Sequence, residues 1–358
     1  MSPFHFSIVP YTLKFKFPAG TSRGVLHDKK SYFIKVTSEG KAGWGEAGPL
    51  PGLSPENDIP EFEKVLYNTI DELNKQEKLP DVSDVPYFIS PQMPAVRFAL
   101  ETALLDLKNN GRRMIFDNDF YRVGKPILIN GLIWMGEKEE MIRQIHDKLE
   151  KGFQCIKLKI GAIDFTEELT LLKAIRDEFT PDKVELRVDA NGAFSSEEAM
   201  DKLHKLARYS IHSIEQPIAA GQHKAMARIC AESPVPVALD EELIGVKNHG
   251  DKWTLLKEIQ PDYIILKPTL LGGFNATNEW IKLADQMDIG WWITSALESD
   301  IGLNAIAQYT YAKYSRMPQG LGTGTLFVNN IPSPLTVDGQ YLKYGATGDW
   351  DLSILKEK

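Results

Sequence analysis

The sequence predicts an α/β protein, a modified TIM barrel of the (β/α)7β kind that carries an α+β N-terminal capping domain. Three observations predict it. Short runs rich in Val, Ile and Leu recur with helical patterns between them, at Cys155 to Ile160, Val184 to Val188, Ile211 to Ile214, Val235 to Leu239 and Tyr263 to Leu266, the signature of parallel strands in βα units. The runs end on charged residues: Lys157 and Lys159, then Asp189, Glu215, Asp240 and Lys267, at steps of 30, 26, 25 and 27 residues from Lys159. The chain before Pro126 lacks this cadence altogether.

That first part reads as strands at Tyr11 to Phe17 and Ser31 to Thr37, the second alternating Tyr32, Ile34, Val36. A loop with Gly and Ser joins them, and Gly43-Trp44-Gly45-Glu46-Ala47-Gly48 leads into a Pro-rich turn. Helical patterns follow at Pro60 to Gln76 and Pro94 to Asn109; in the second, Val96, Ala99, Leu100, Ala103, Leu104 and Leu107 make one apolar stripe. From Pro126 the βα rhythm sets in. Ile127 to Ile133 reads as the first barrel strand, Trp291 to Ser295 as the seventh and Gln319 to Gly322 as the eighth position. Helices are expected near Glu137 to Lys151, Phe165 to Phe179, Ser195 to Tyr209, Gln222 to Ala231, Lys252 to Ile259, Ala276 to Met287 and Leu303 to Tyr314. Ser195-Ser196-Glu197-Glu198 supplies a capping signal for the third of these. The expected domains are a capping domain over 1–115, a catalytic barrel over 116–325, and a segment over 326–358 that returns to the capping domain.

Composition narrows the function. Hydrophobic residues make up 43% and charged residues 25%, and the formal net charge is -8 without a basic stripe, which speaks against nucleic acid as a partner. No apolar stretch is long enough to span a bilayer, and the N-terminus lacks the apolar core of a signal peptide. Only Cys155 and Cys230 are present, so no disulfide framework is implied and a cytoplasmic location is expected. The partner expected is a small-molecule carboxylate substrate; no oligomeric interface is legible in the pattern.

An ionised side chain at the end of a strand buried on both faces is costly without a partner or a metal. In an eight-strand ring the second and sixth positions are opposite, so the lysine pair faces Lys267 across the mouth, with Asp189, Glu215 and Asp240 on the wall between. Three converging carboxylates call for a cation, and hard oxygen ligands suit Mg²⁺, with Mn²⁺ a substitute. Lys157 and Lys159 share a strand face; two such ammonium groups lower each other's pKa, making one a general base. A metal-held substrate carboxylate would then lose its α-proton as an enediolate forms.

Lys157-Leu158-Lys159, Asp189-Ala190-Asn191-Gly192, Glu215-Gln216-Pro217, Asp240-Glu241 and Lys267-Pro268 resemble the motifs of the muconate-lactonizing subgroup of the enolase superfamily. The likeness spans nearly the whole chain, including Gly43 to Pro49. It implies that Asp189, Glu215 and Asp240 bind the metal, that Lys159 is the base with Lys157 tuning it, and that Lys267 is the opposite lysine. Dipeptide epimerases of the subgroup typically carry an Asp-x-Asp motif after the eighth strand, where this chain has Gly320-Leu321-Gly322-Thr323-Gly324-Thr325. A Gly-rich turn of backbone N–H groups favours an anion or carbonyl oxygen. That rim, with Thr294 to Ser299, Asn130 to Ile133 and the loop Thr21 to Gly24, is most similar to the dehydratase branch, which aromatises a cyclohexadiene hydroxy acid in menaquinone synthesis. The alternative within the subgroup is an N-acylamino acid racemase, dipeptide epimerase or muconate cycloisomerase using the same residues. Intact lysines argue against a mere carboxylate-binding barrel.

Substrate contacts are expected from Ser295, Gly322, Thr323, Arg187 and Asn191. Arg187 is equally readable as a structural partner of Glu185, and Asn191 as a turn residue. Glu241 is expected to support a lysine from behind, and Gln216 to orient ligands. Cys155, His212 and the Trp291–Trp292 pair read as packing residues, and Gly272-Gly273 as a tight turn.

Overall fold

The structure, a computed structural model, describes residues 4–21, 24–134, 137–161, 163–313, 317–345 and 348–356. Ser22 and Arg23 of the expected capping loop, and Tyr314 at the end of an expected helix, lie outside these.

The N-terminal sheet is an antiparallel meander of β1 (Phe4–Thr21), β2 (Gly24–Ser38) and β3 (Lys41–Ala47). The first strand begins earlier than the apolar run suggests. Phe4 and Phe6 are buried while His5 is exposed, a period-two alternation that pairs Phe4 with Ser38 and Phe6 with Val36. Helices α1 (Phe62–Asn74), α2 (Val85–Phe88) and α3 (Pro94–Lys108) cover the sheet. The backbone of β3 lies directly on α3: a Cβ at Gly43 would come 2.0 Å from the Ala103 carbonyl oxygen, and one at Gly45 would come 1.9 Å from that of Ala99. The predicted stripe of α3 fills this core, while Phe98 on its other side packs edge-on against Phe274 of the barrel. One helix thus serves two cores.

After α4 (Asp119–Val123), the expected first strand divides into β4 (Ile127–Leu128) and β5 (Gly131–Ile133). Then follow α5 (Lys138–Glu150), β6 (Cys155–Lys159), α6 (Phe165–Glu178), β7 (Glu185–Asp189), α7 (Ala199–Leu206), β8 (Ile211–Glu215), α8 (His223–Glu232) and β9 (Val237–Leu239). The series ends with α9 (His249–Ile259), β10 (Tyr263–Leu266), α10 (Pro268–Leu271), α11 (Gly273–Gln286), β11 (Gly290–Ile293) and α12 (Asp300–Lys313). Strands β5 to β11 pair in parallel and in sequence order. The eighth position closes the ring through two bridges, Ile129 with Gln319 and Thr294 with Gly320. Glycine is needed there, since a Cβ at Gly320 would come 2.5 Å from the Thr294 hydroxyl. No helix among the described residues is long and apolar enough to cross a membrane.

The C-terminal stretch explains the divided strand. A hairpin of β12 (Leu335–Asp338) and β13 (Tyr341–Tyr344) takes β4 as its third strand, and Ile129 N–H donates to the Gln340 carbonyl at 2.9 Å. Only beyond that point does the chain join the barrel. On either side of the hairpin, Ile331 and Leu355 pack with Val9, Phe33 and Trp44 of the N-terminal sheet.

Helix starts follow local chemistry. Ser195 and Glu198 make the reciprocal box expected of them, Glu198 N–H donating to Ser195 Oγ at 3.3 Å and Ser195 N–H to Glu198 Oε1 at 3.2 Å. Helix α11 begins three residues before the apolar pattern because the Glu101 carboxylate, on α3, accepts the Phe274 and Asn275 N–H groups. Gly273, with φ +88, leaves room for that carboxylate.

Candidate active site

The charged strand ends meet at the C-terminal mouth of the barrel. Register places Lys159 beside Asp189 and Asp189 beside Glu215; Asp240 and Lys267 each follow the last residue of their strand. All are withdrawn from solvent, with Asp189, Glu215 and Asp240 at 2% exposure or less. The lysines and carboxylates interleave. Lys157 Nζ lies 2.5 Å from Glu215 Oε2 and 2.9 Å from Asp189 Oδ2. Lys159 Nζ lies 3.1 Å from Asp189 Oδ2 and donates to Asn191 Oδ1 at 2.6 Å. Across the ring, Lys267 bonds Asp240 Oδ2 and stands 3.9 Å from Glu215 Oε1.

Burial alone would lower the Lys157 ammonium, but Asp189 and Glu215 outweigh it and hold it above the ordinary lysine value. Burial also opposes Lys267, and Asp240 and Glu215 raise it. The expected mutual depression of paired ammonium groups is therefore not met at Lys157, because carboxylates stand closer to it than a second cation's influence can offset. Burial would raise Asp189, yet Lys157 and Lys159 pull it far below the carboxylate range. Glu215 takes the opposite course: burial, then the neighbouring Asp189, push it up to about 8.

Supporting groups fix this geometry. Asn191 is left-handed at φ +44, a turn that brings its N–H to Asp189 Oδ1 at 3.0 Å while its amide spans Lys159 and Glu241 Oε1. Both readings of Asn191 hold at once, and Glu241 reaches Lys159 through it. Gln216 is wholly buried; its carbonyl accepts the Asp240 and Glu242 N–H groups at 3.1 and 3.2 Å, and its amide donates to Ile218 O and Glu242 Oε2. It sets the backbone that presents Asp240.

Ser295 and Thr323 face each other on the rim, hydroxyl to hydroxyl at 2.6 Å. Gly322 opens the one-turn helix Gly322–Thr325 that carries Thr323. Arg187 lies in the barrel lumen, one strand step below Asp189 and 2% exposed. Its Nε donates to Glu185 Oε1 at 2.7 Å, its Nη1 to the Pro318 carbonyl at 3.0 Å, and its guanidinium stacks 4.3 Å from the Trp292 ring centre. Cys155 is buried with its Sγ 3.3 Å from Glu185 Oε1, and burial pushes its thiol far up. His212 packs on Tyr263, and Trp291 turns outward to Asp285.

The donor set suits a hard divalent cation in kind: carboxylates on successive strands, with Glu215 Oε1 buried and accepting no hydrogen bond. As placed, no three Asp, Glu, His or Cys side chains among the described residues are gathered to hold a metal, since lysine ammonium groups stand between the carboxylates.

Sequence reasoning passed over Glu298. Wholly buried, it takes the Ala296 N–H at 2.7 Å and the Thr269 hydroxyl, so it ties the end of the sixth strand to that of the seventh. Its place in the Thr294 to Ser299 motif was the available signal.

Residues 140–342 match the enolase C-terminal domain-like family. The chain is 48% identical to the o-succinylbenzoate synthase of Desulfotalea psychrophila, over 92% of this chain and 96% of that one. The crystal structure of MenC from Desulfotalea psychrophila superposes with a TM-score of 0.85 at 42% identity, covering 96% of this chain and all of that one. A substrate-liganded L-Ala-D/L-Glu epimerase from Bacillus subtilis shares the fold, with a TM-score of 0.83 at 19% identity over 98% of each chain. The chain belongs to the enolase superfamily and, within its muconate-lactonizing subgroup, to the o-succinylbenzoate synthase family.

Proposed function

We propose that this protein is a carbon–oxygen lyase that dehydrates a succinyl-hydroxycyclohexadiene carboxylate to o-succinylbenzoate, in the cytoplasm, as a step of menaquinone biosynthesis. The observation that carries the chemistry is the placement of Lys159 and Lys267 on opposite sides of Asp189, Glu215 and Asp240. The choice of substrate follows the relative that shares 48% of its residues over nearly the whole chain.

Asp189, Glu215 and Asp240 would hold the divalent cation, Mg²⁺ by preference and Mn²⁺ as a substitute. When bound, it supplies positive charge to the substrate carboxylate as the α-proton leaves. Lys159 Nζ removes that proton, breaking the C–H bond; the electron pair forms the ring double bond as the β C–O bond breaks. The same ammonium returns the proton to the departing hydroxyl, so water is released and the base is regenerated. Asn191 steers the amine through its 2.6 Å contact with Nζ. Lys267 supplies a fixed positive charge on the other face of the substrate. The Ser295 and Thr323 hydroxyls, with the backbone at Gly322, receive a carboxylate or carbonyl oxygen at the far end. Arg187 bears on this rim from below, through the Pro318 carbonyl.

The purified protein, given the cyclohexadiene precursor, should convert it to the aromatic product, lose activity in EDTA and regain it with Mg²⁺. Undiminished turnover in EDTA would remove the metal from the scheme. Inertness toward the precursor, with deuterium washed into both enantiomers of an N-acylamino acid, would replace the dehydratase by a racemase.

A further inference from the structure

A second buried ionic cluster lies away from the barrel mouth, where the N-terminal sheet meets the loop after β11. Lys29 on β2 and Glu46 on β3 are buried, at 1% and 0% exposure, with their charged atoms 3.6 Å apart. Glu46 is saturated by other donors. Its Oε1 accepts the Ser31 hydroxyl at 2.8 Å, and its Oε2 accepts the Ser299 N–H at 2.8 Å, the Ser299 hydroxyl at 2.6 Å and the Gly302 N–H at 3.3 Å. The carboxylate therefore sits at the N-terminus of α12, where unpaired N–H groups and the helix dipole favour an anion.

The ammonium of Lys29 makes a shorter contact elsewhere, donating to the Leu297 carbonyl at 2.8 Å. Leu297 has φ +63, a left-handed conformation that a bulky residue keeps only when its surroundings hold it. The neighbouring residues are held too: Ala296 N–H bonds Glu298, and Ser295 N–H bonds the Gly320 carbonyl at 3.0 Å. Lys29 is packed closely against Gly48, where a Cβ would come 2.4 Å from its Nζ. One cation from the N-terminal sheet thus fixes the strained residue two places beyond Ser295.

We propose that Lys29 is a positioning residue of the active site: by holding the Leu297 carbonyl it sets the loop after β11 so that Ser295 stands against Thr323 at the substrate's far end. This rests on the reading of Ser295 and Thr323 as substrate contacts. Neutralising Glu46 is the lesser part of its work, because Ser31 and α12 already satisfy that carboxylate.

The two parts separate in the double variant Lys29→Met, Glu46→Gln. It removes both charges of the Lys29–Glu46 pair, so neither is left buried without the other and the joint can remain packed, while the Leu297 carbonyl loses its donor. The double variant should melt close to the parent protein and keep kcat within about threefold, with KM raised about tenfold, the scale of one lost hydrogen bond. Ser295→Ala should raise KM similarly, and the triple variant should show little beyond the larger single effect, because both changes act through one contact. Lys29→Met alone should melt lower than the double variant. A double variant with parental KM, beside a Ser295→Ala protein with raised KM, would overturn the role of Lys29 and leave the rim reading standing. A parental KM in Ser295→Ala would overturn the rim reading and, with it, this proposal.

Discussion

The barrel mouth and the joint beneath the N-terminal sheet are both buried and both ionic, yet they are built to opposite ends. At the joint, two serines and a helix N-terminus donate to one carboxylate, Glu46, and Lys29 stands beside it while bonding the Leu297 carbonyl. At the mouth, three lysines interleave with three carboxylates, and Glu215 Oε1 is left without a hydrogen bond. Buried charge that is fully satisfied holds shape. Buried charge that is crowded and incompletely satisfied is available to exchange partners, as a site that binds a cation and moves a proton requires.

The largest effect that tests this contrast is expected at Lys159. Lys159→Ala should lower kcat by about a thousandfold, within the usual range for losing a general base, while circular dichroism and calorimetric Mg²⁺ binding stay near those of the parent. Its counterpart at the joint, Lys29, should show its effect in KM instead. Comparable kcat values for Lys159→Ala and the parent would dissolve the distinction between the two regions.

Stability should divide the regions the other way. Glu46→Ala removes the acceptor of four bonds and leaves Lys29 buried without its carboxylate, a loss of about 3–5 kcal/mol for one partner of a buried pair. Glu215→Gln, measured in EDTA, should cost clearly less than Glu46→Ala, because the amide keeps an acceptor for Lys157 and removes the repulsion from Asp189 and Asp240. Burial and the neighbouring Asp189 already disfavour the charged form of Glu215, so exchanging it for a neutral amide of the same shape relieves crowding as well as losing a charged partner for Lys157. Urea titrations of both variants decide the matter; a Glu215→Gln protein as damaged as Glu46→Ala would mean that the mouth is as locked as the joint.

The two regions also differ in how far they could be read from sequence. The mouth was legible because parallel strands are continuous apolar runs, and a charge at the end of each is an energetic exception that repeats at a fixed interval. The joint was not. Glu46 and Ser299 are 253 residues apart in the chain, and a single long-range contact leaves no periodic trace. Gly43 to Gly48 stood out as a motif, but only the packed structure shows that Gly43 and Gly45 admit α3 and that Glu46 docks on α12. The first barrel strand was misjudged for a related reason: Ile127 to Ile133 is apolar but for Asn130 and Gly131, and that short interruption does not reveal that β13 claims its first half. The alternation of Phe4 and Phe6 was present in the sequence and short enough to pass unremarked.

A second carboxylate docks the N-terminal module onto the barrel, and it lacks what Glu46 has. Glu101 reaches the N-terminus of α11 through the Phe274 and Asn275 N–H groups, but its Oε1 accepts no hydrogen bond. Burial raises it to about 8 from an ordinary value of 4.5, with Arg97 acting on it only weakly. The folded chain therefore binds a proton here that the unfolded chain has released over that interval. The stabilisation is complete below about pH 4.5 and is lost as pH rises through about 8. Glu101→Gln keeps an acceptor for the helix N-terminus and has no proton to lose. The difference in melting temperature, variant minus parent, should thus move in the variant's favour between pH 5 and pH 9. A difference that stays flat across that range would show that Glu101 is ionised in the folded protein, held by the α11 N-terminus as firmly as Glu46 is held by α12, and the two docking carboxylates would be equivalent.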